Sequence, residues 1–207
     1  MEGVAEAVSE VVDFRSMAVV GTGEAAERGL TQVKGIDGAY PLYGAVELEP
    51  VMGLGEALSL QDRVPGAVMD RVLVDRLGLE VGDRFALGMQ EFRLSAILTR
   101  EPDNAGGGFA LGPRTMVRTE DLAASGLLAP GTLFETEYRM RLAPDADLEA
   151  LAAEAEGALE GARWQDRRNG APGVSEFVDR LGAFLVLVGL AGLAVGGVGV
   201  SAAVRAY

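Results

Sequence analysis

Few residues in this chain have side chains that could carry out chemistry. Among its 207 residues there is no cysteine and no histidine, and Lys34 is the single lysine. These absences exclude disulfides, thiolate and imidazole metal sites, and nucleophilic triads built on histidine. Asp, Glu, Tyr, Arg and Lys34 remain for acid–base or covalent chemistry. Lys34 could form a Schiff base, but a lone lysine on a short strand is expected at the surface.

Paired carboxylates could serve a glycosidase, but the chain has too many acids to select one pair. With 31 Asp and Glu residues, close pairs arise by chance. Glu135 and Glu137 alternate with Arg139 and Arg141 along one predicted strand. We therefore expect these four side chains to pair on a solvated face, away from any reaction.

Two other patterns have simple structural explanations. Gly106–Gly108 lacks the lysine and the strand–helix context of a phosphate-binding loop, so it is expected to be a loop. Asp103 with Asn104, and Asp145 with Asp147, lack the spacing of a calcium-binding loop and fit turns and helix caps. We assign no catalytic, cofactor-binding or metal-binding residue from the sequence.

The charge of the chain argues against nucleic-acid binding. It carries 18 basic and 31 acidic residues, for a net charge of −13. An acidic surface repels phosphate backbones. The mean hydropathy is nevertheless +0.20, so the apolar residues must be concentrated in one region.

That region is the C-terminus, where Leu181–Val204 is a run of 24 residues without a charge. As a helix the run is about 36 Å long at about 1.5 Å per residue, enough to cross a hydrocarbon core of about 30 Å. Small residues recur along it at intervals of three, four and seven, and Gly192 with Gly196 forms a GxxxG pattern. The spacing predicts a seam for packing against another membrane helix. The seam consists of Gly182, Gly189, Gly192, Gly196, Gly199 and Ala203.

Nothing at the start of this sequence resembles a signal peptide, because Met1 is followed by an acidic stretch without an apolar core. Two arrangements are compatible with this. Either the preceding domain is cytoplasmic and the helix is a tail anchor, or the chain is a fragment whose earlier membrane span is missing.

Residues 1–180 read as a globular α+β region, since helices and strands do not alternate regularly. Residues 133–142 alternate strictly, which predicts a strand with Phe134 and Tyr138 on a core face. Helices are predicted at 4–12, at 68–77 ending at Gly78, at 120–124, and from Asp145 or Asp147 to about 160. Further strands are predicted at 17–20, 31–36, 45–48 and 114–118, and on both sides of a hairpin turn at Gly88–Gln90.

Five segments together resemble one known family. They are VKGIDGAYPLYG (33–44), VDRLGLEVGDRF (74–85), EPDNAGGGFALGPR (101–114), DRRNGAPGVSEFVDRLGAFL (166–185) and FLVLVGLAGLAVGGVGVSAAVRAY (184–207). The last resembles the start of the FtsX/MacB-like permease domain of ABC transporters, with Gly196, Gly197 and Gly199 in its glycine run. The others are similar to the first extracytoplasmic domain of such a permease, in the subgroup paired with an arylesterase or lysophospholipase.

The resemblance implies an architecture. Residues 1–175 would form a MacB-like periplasmic α+β domain, with a porter-like portion and an inserted mostly-β portion at about 65–130. Residues 176–207 would form one transmembrane helix that opens the permease domain. The first span, the cytoplasmic coupling segment and the later spans are absent from this sequence, so it resembles a fragment.

The resemblance also implies a function and partners. The protein would lie in the bacterial inner membrane, with residues 1–175 on its extracytoplasmic side. It would pair with a separate ABC ATPase subunit and would need no cofactor. The domain would transmit ATP-driven helix motion during the extraction or export of a lipid or other hydrophobic compound. It would contact a periplasmic esterase or lysophospholipase, membrane lipid and other helices of the permease.

Two further functions remain open on the residues alone. The chain could be a tail-anchored cytoplasmic adaptor that is complete at Tyr207. It could also be a membrane-anchored hydrolase that depends on carboxylates.

Overall fold

A computed structural model of the chain describes residues 5–103, 112–158, 161–166 and 180–193. It divides into two compact units, Met1–Pro144 and Asp145–Tyr207. The strands are β1 (Ala5–Val20), β2 (Glu27–Ile36), β3 (Glu47–Glu49), β4 (Gly66–Asp70), β5 (Arg84–Leu87), β6 (Gln90–Arg100), β7 (Arg114–Arg118) and β8 (Glu135–Leu142). The α-helices with assigned ends are α1 (Leu54–Ala57), α2 (Arg71–Leu77) and α3 (Leu148–Ala158). Short 3₁₀ turns lie at Gly23–Ala25 and Thr119–Leu122.

Six strands of the first unit pair in a closed ring, in the order β1–β2–β7–β4–β6–β5 and back to β1. The pairs β2–β7 and β4–β6 are parallel, and the other pairs are antiparallel. We call these six strands the closed sheet. Because the ring is closed, each of the six strands has a paired neighbour on both sides. This protects the strands from pairing with other chains.

The long strand β1 belongs to two structures at once. Residues 11–20 pair with β2 inside the closed sheet, whereas the residues before Val11 pair with β8. β8 pairs with β1 alone among the described strands. Residues 5–10 of β1 and residues 138–142 of β8 therefore leave the closed sheet as a two-stranded ribbon, and we use the word ribbon for these residues.

Two apolar clusters fill the two faces of the closed sheet. Successive side chains of a strand point to opposite faces, so the neighbours Val11 and Val12 enter different clusters. One cluster packs α2 against the sheet through Leu73 and Leu77. The other packs Leu58 and Tyr40 over the opposite face.

The predicted helix at 4–12 is wrong, because these residues belong to β1 from Ala5 onward. Their valines fit a helical stripe, but β-branched side chains also favour a strand. Pairing with β2 and β8 decides in favour of the strand. The predicted strands at 17–20 and 31–36 are confirmed inside β1 and β2.

The predicted helix at 68–77 begins later, at Arg71, since residues 66–70 form the buried strand β4. The Asp70 carboxylate accepts a hydrogen bond from the Val72 backbone N–H at 2.8 Å and caps the helix. Gly78 ends it in the left-handed conformation, as predicted. The hairpin at Gly88 and the strand at 114–118 are also confirmed.

The strand at 133–142 is confirmed as β8, but the fold covers each of its faces only in part. On the predicted core face, Tyr138 is 57% exposed whereas Met140 is half-buried. On the predicted solvent face, Glu135 is exposed whereas Arg139 is half-buried. Alternation identified the strand, but it did not show how much of each face the fold would cover.

The second unit contains α3 and the helical residues 180–193. The Asp147 carboxylate accepts hydrogen bonds from the Glu149 and Ala150 backbone N–H groups at 3.0 and 3.1 Å, which confirms the predicted cap. Within the described residues, no helix has the length and hydropathy needed to span a membrane. Residues 194–204 of the predicted span lie outside the described residues, and the span stays a prediction.

Candidate functional site

Seven polar side chains from six parts of the first unit meet on one face of the closed sheet. They come from β1, β2, the turn after β2, the segment after β6, β7 and β8. We call them the charge cluster: Asp13, Lys34, Tyr40, Glu101, Asp103, Arg114 and Arg139.

Lys34 is the centre of the charge cluster and is 1% exposed. It pairs in register with Asp13 of β1 and Met116 of β7, which places it in the middle of the closed sheet. Its Nζ donates to Tyr40 Oη at 3.1 Å, to Asp103 Oδ2 at 2.7 Å and to Glu101 Oε1. All three ammonium protons therefore have acceptors. The expectation of a surface lysine is wrong.

Burial in the charge cluster shifts the pKa values of Lys34 and Tyr40. Desolvation lowers the pKa of Lys34, while the negative charge of Glu101 acts in the opposite direction. Desolvation, followed by the charge of Glu101, raises the pKa of the Tyr40 phenol. Tyr40 thus stays a neutral hydrogen-bond donor, with its Oη 2.6 Å from Asp103 Oδ1 and 3.3 Å from Glu101 Oε1.

Arg114 connects the centre of the cluster to β1. Its Nε lies 3.3 Å from Glu101 Oε2, and its Nη1 lies 3.2 Å from Asp13 Oδ1. Glu101 therefore contacts Lys34 with one oxygen and Arg114 with the other. The Glu101 side chain is 4% exposed, so both contacts lie away from bulk water.

Arg139 connects the cluster to the ribbon. Its guanidinium pairs with Asp103 and donates to Glu137 Oε2 through Nε at 2.9 Å and Nη2 at 2.7 Å. Desolvation, with the nearby charges of Asp13 and Glu135, raises the pKa of Glu137. The sequence analysis placed Glu137 and Arg139 together on one strand face, and the structure confirms that they pair.

Asp37, in the turn after β2, organises the same face. Its carboxylate accepts hydrogen bonds from Ser9 Oγ at 2.9 Å and from the Glu10 backbone N–H at 2.7 Å. It also accepts from the backbone N–H groups of Ala39 and Tyr40 at 3.0 and 3.1 Å. One side chain therefore shapes the turn that presents Tyr40 and attaches the turn to the ribbon.

The arrangement joins chain segments and does not resemble an acid–base site. Each of the cluster carboxylates of Asp13, Glu101 and Asp103 contacts a lysine or an arginine. Across the part of the chain that the structure describes, no group of acidic residues has the geometry of a metal site. A buried network of this kind fixes how its segments lie against one another.

Of the sequence-based candidates that the structure describes, Lys34, Asp103 and Arg139 belong to this cluster. Gly182, Gly189 and Gly192 lie in the helical residues 180–193, and a Cβ added at any of them would meet no atom within 4 Å. Residues 104–111, with Asn104 and Gly106–Gly108, lie outside the described residues, as do Gly196, Gly199 and Ala203. The helix-packing seam stays a prediction.

Sequence reasoning missed Tyr40, Glu101, Arg114 and the burial of Lys34. No local signal marked Lys34 as buried, because it shares a strand face with the polar Gln32 as well as with Ile36. A buried lysine needs buried counter-ions, and the sequence does not indicate which acids supply them.

A cleft of about 390 Å³ adjoins the cluster between the turn after β2, α1 and the 3₁₀ turn at Thr119–Leu122. Arg118, at its edge, already donates to the Gly55 carbonyl at 3.2 Å and to Glu120 at 3.1 Å. Its strongest donor is thus engaged within the protein, and the cleft does not define a ligand.

Solved structures with this arrangement identify the fold. The periplasmic region of MacB from Actinobacillus actinomycetemcomitans matches with a TM-score of 0.50 and 11% identity, over 76% of this chain and 69% of that one. The extracellular domain of the noncanonic ABC-type transporter YknZ from Gram-positive bacteria matches with a TM-score of 0.50 and 15% identity, over 76% and 75%. The fold is that of the MacB-type periplasmic domain.

The chain is also similar in sequence to a curated ABC transporter permease. The chain is 26% identical over 110 residues to the uncharacterized ABC transporter permease YbbP of Escherichia coli (strain K12). The match covers 53% of this chain and 13% of that protein, so the chain aligns with only a small part of its relative. No protein-family model matches the chain. The two structural likenesses confirm the predicted MacB-type fold, in which helices and strands are mixed.

Proposed function

We propose that this chain is an extracytoplasmic part of an ABC transporter permease in the inner membrane. In this role it transmits the motion of membrane helices, driven by a separate ATPase subunit, to a lipid or other hydrophobic compound. A periplasmic arylesterase or lysophospholipase is the proposed recipient of that compound. The similarity to an ABC transporter permease supports the proposal.

One structural observation carries it. Ala5, near the start of β1, lies opposite Leu142, at the end of β8, in the ribbon. The start of β1 and the end of β8 therefore lie side by side. This is the geometry of a domain inserted between two membrane helices, because a movement of the helices would reach the closed sheet through one ribbon.

The apolar C-terminal segment supports the same conclusion. The described part of Leu181–Val204 is helical, and its apolar side chains, such as Phe184 and Leu187, are exposed. A helix that exposes apolar side chains around its circumference suits lipid or other helices better than water. We propose that the six-residue small-residue seam packs there against neighbouring helices of the permease.

Single cysteines test the placement, because the chain has none of its own. We would introduce Val51→Cys, at a position that is 97% exposed, into the full-length protein that contains this chain. Treatment of intact cells with a membrane-impermeant maleimide should label it. The matched variant Ala206→Cys, beyond the predicted span, should react only after lysis.

The opposite pattern, with Val51→Cys labelled only after lysis, would contradict the proposal and support the tail-anchored adaptor. The adaptor and the carboxylate-dependent hydrolase are not favoured by the comparisons. For the hydrolase, the cluster carboxylates are also already paired with cations.

A further inference from the structure

The ribbon has few backbone connections to the rest of its unit. Residues 5–10 of β1 pair with β8 and with no other described strand. A two-stranded ribbon is only marginally stable alone and twists easily. Backbone pairing of residues 135–137 of β8 with residues 11–13 of β1 anchors one end of it, and side chains set the position of the rest.

Two levels of the ribbon carry such side chains. At the outer level, Arg141 of β8 donates to the Leu42 carbonyl and lies over the Tyr43 ring, 5.0 Å from its centre.

The inner level joins both strands to carboxylates. Ser9 of β1 lies opposite Arg139 of β8. On the β1 side, Ser9 Oγ and the Glu10 backbone N–H donate to Asp37. On the β8 side, Arg139 pairs with Asp103. Asp37 thus holds one strand of the ribbon and Asp103 holds the other.

The contact between Arg139 and Asp103 can break without leaving a buried charge unpaired. On the side of the closed sheet, Lys34 keeps Glu101 as its counter-ion, and Asp103 keeps Lys34 and Tyr40. On the side of the ribbon, Arg139 keeps Glu137, on its own strand. Removing one partner of a buried pair is otherwise costly, because the other charge is left alone.

Water also reaches this contact, unlike the centre of the cluster. The side chains of Arg139 and Asp103 are 31% and 25% exposed, whereas those of Lys34 and Glu101 are 2% and 4% exposed. A partly exposed ion pair is weakened by salt and exchanges readily with hydration. The charge cluster thus has a buried centre at Lys34 and Glu101, and one partly exposed ion pair, Arg139 with Asp103, that can separate.

We infer that the Asp103–Arg139 ion pair is a reversible latch between the closed sheet and the ribbon. When the latch is closed, β8 is held against the segment after β6. When it is open, the part of β8 around Arg139 turns about β1, which stays attached through Asp37, while β8 keeps its contact through Arg141 and its pairing with residues 11–13 of β1. The two states are discrete, because each keeps a complete set of ion pairs. The latch rests on geometry, and its use in transport rests on the proposed function.

Distances between spin labels test the latch in the full chain. Nitroxides at Tyr138→Cys on the ribbon and Val51→Cys on the closed-sheet unit report the angle between the two parts, and both positions are exposed. We expect one distance population at low salt. Arg139→Gln should add a second population or replace the first. Raising the salt concentration to about 1 M, where screening acts within about 3 Å, should produce the same population without a substitution.

Two controls keep the result specific. Arg84→Gln breaks an exposed ion pair with Glu91 between β5 and β6 and should leave the distances unchanged. Asp103→Asn removes the other partner and should reproduce Arg139→Gln. A single, unshifted distance in folded Arg139→Gln would overturn the latch. If that variant does not fold, an unshifted distance in high salt overturns it instead.

The test is independent of the proposed function, since it needs neither an ATPase nor a transported compound. An unshifted distance would leave the extracytoplasmic placement standing. Labelling of Val51→Cys only after lysis would leave the latch standing.

Discussion

The hydroxyl of Tyr40 lies 2.6 Å from the carboxylate of Asp103, although the two residues are 63 positions apart in the chain. This contact joins the turn after β2 to the segment after β6, and it lies beside the ammonium group of Lys34. It stabilises the buried end of the charge cluster. It also makes the cluster sensitive to alkaline pH, since a phenol can donate this hydrogen bond only while it is protonated.

Replacing Tyr40 with phenylalanine should destabilise the first unit by about 1.5–3 kcal/mol, the range for hydrogen bonds to charged groups. The pKa of the folded phenol is raised above its ordinary value of 10.0. Its contribution is therefore fully present below pH 10 and is lost as the pH rises further, because the unfolded chain ionises first. Denaturant unfolding should show the difference between wild type and Tyr40→Phe shrinking above pH 10. A constant difference would contradict this account.

Removing the buried ammonium group of Lys34 should lower the free energy of unfolding more than Tyr40→Phe does. Lys34→Met leaves Glu101 buried with Arg114 as its remaining cation, and breaking a buried pair costs about 3–5 kcal/mol. Arg84→Met is the matched control, because both partners of its pair are 53% exposed, and it should cost less than about 1 kcal/mol. The double variant Lys34→Met/Glu101→Gln should be more stable than Lys34→Met alone. Chemical denaturation measures all three, and equal costs for Lys34→Met and Arg84→Met would rule out a buried role for Lys34.

Asp37 should control the order of the ribbon. Asp37→Ala removes the acceptor of the Ser9 hydroxyl and of the Glu10 N–H, as well as two hydrogen bonds within the turn. Hydrogen exchange at the Glu10 amide should become faster by at least about tenfold, for a loss of about 1.4 kcal/mol in local protection. Asp83→Ala, which removes a single turn contact to the Glu80 N–H, is the control and should leave Glu10 unchanged. Unchanged exchange at Glu10 in Asp37→Ala would show that the ribbon is held by other contacts.

Two glycines separate backbone strain from steric clash. Gly78 and Gly88 have φ values of +60° and +58°, where a side chain costs about 1–2 kcal/mol. A Cβ at Gly78 would meet nothing within 4 Å, whereas a Cβ at Gly88 would lie 2.2 Å from the Ser125 carbonyl oxygen. Gly88→Ala should therefore lower the free energy of unfolding by about 1–3 kcal/mol more than Gly78→Ala. Equal losses would show that Ser125 moves away without cost.

A further prediction concerns the small-residue seam of the C-terminal segment, which is expected to pack against other helices. In the full-length protein, Gly192→Leu and Gly196→Leu should reduce the amount of ATPase subunit that co-purifies, because a bulky side chain prevents close approach of helices. Ala194→Leu, on the opposite face of the predicted helix, introduces the same bulky side chain and should have no effect. Co-purification that is equally high in all three variants would contradict the seam, while leaving the fold of the first unit untouched.

The sequence by itself determined several local elements and the kinds of chemistry that its residue types exclude. Alternation predicted β8, and the cap at Gly78 and the turn at Gly88 were readable because only a few residue types suit those backbone conformations. The residue types excluded histidine and cysteine chemistry, and the resemblance to FtsX/MacB-like permeases named a fold that the comparisons confirm.

The tertiary structure alone decided which surfaces are covered. It made residues 5–12 part of a strand, because β1 has partners on both sides there. It exposed Tyr138 and turned Arg139 toward Asp103, and it buried Lys34 among acids that lie 67 and 69 positions away. Residues so distant in sequence carry no shared local pattern. Their contact depends on how the closed sheet brings β2, β6 and β7 together, and therefore on the free energy of the whole fold.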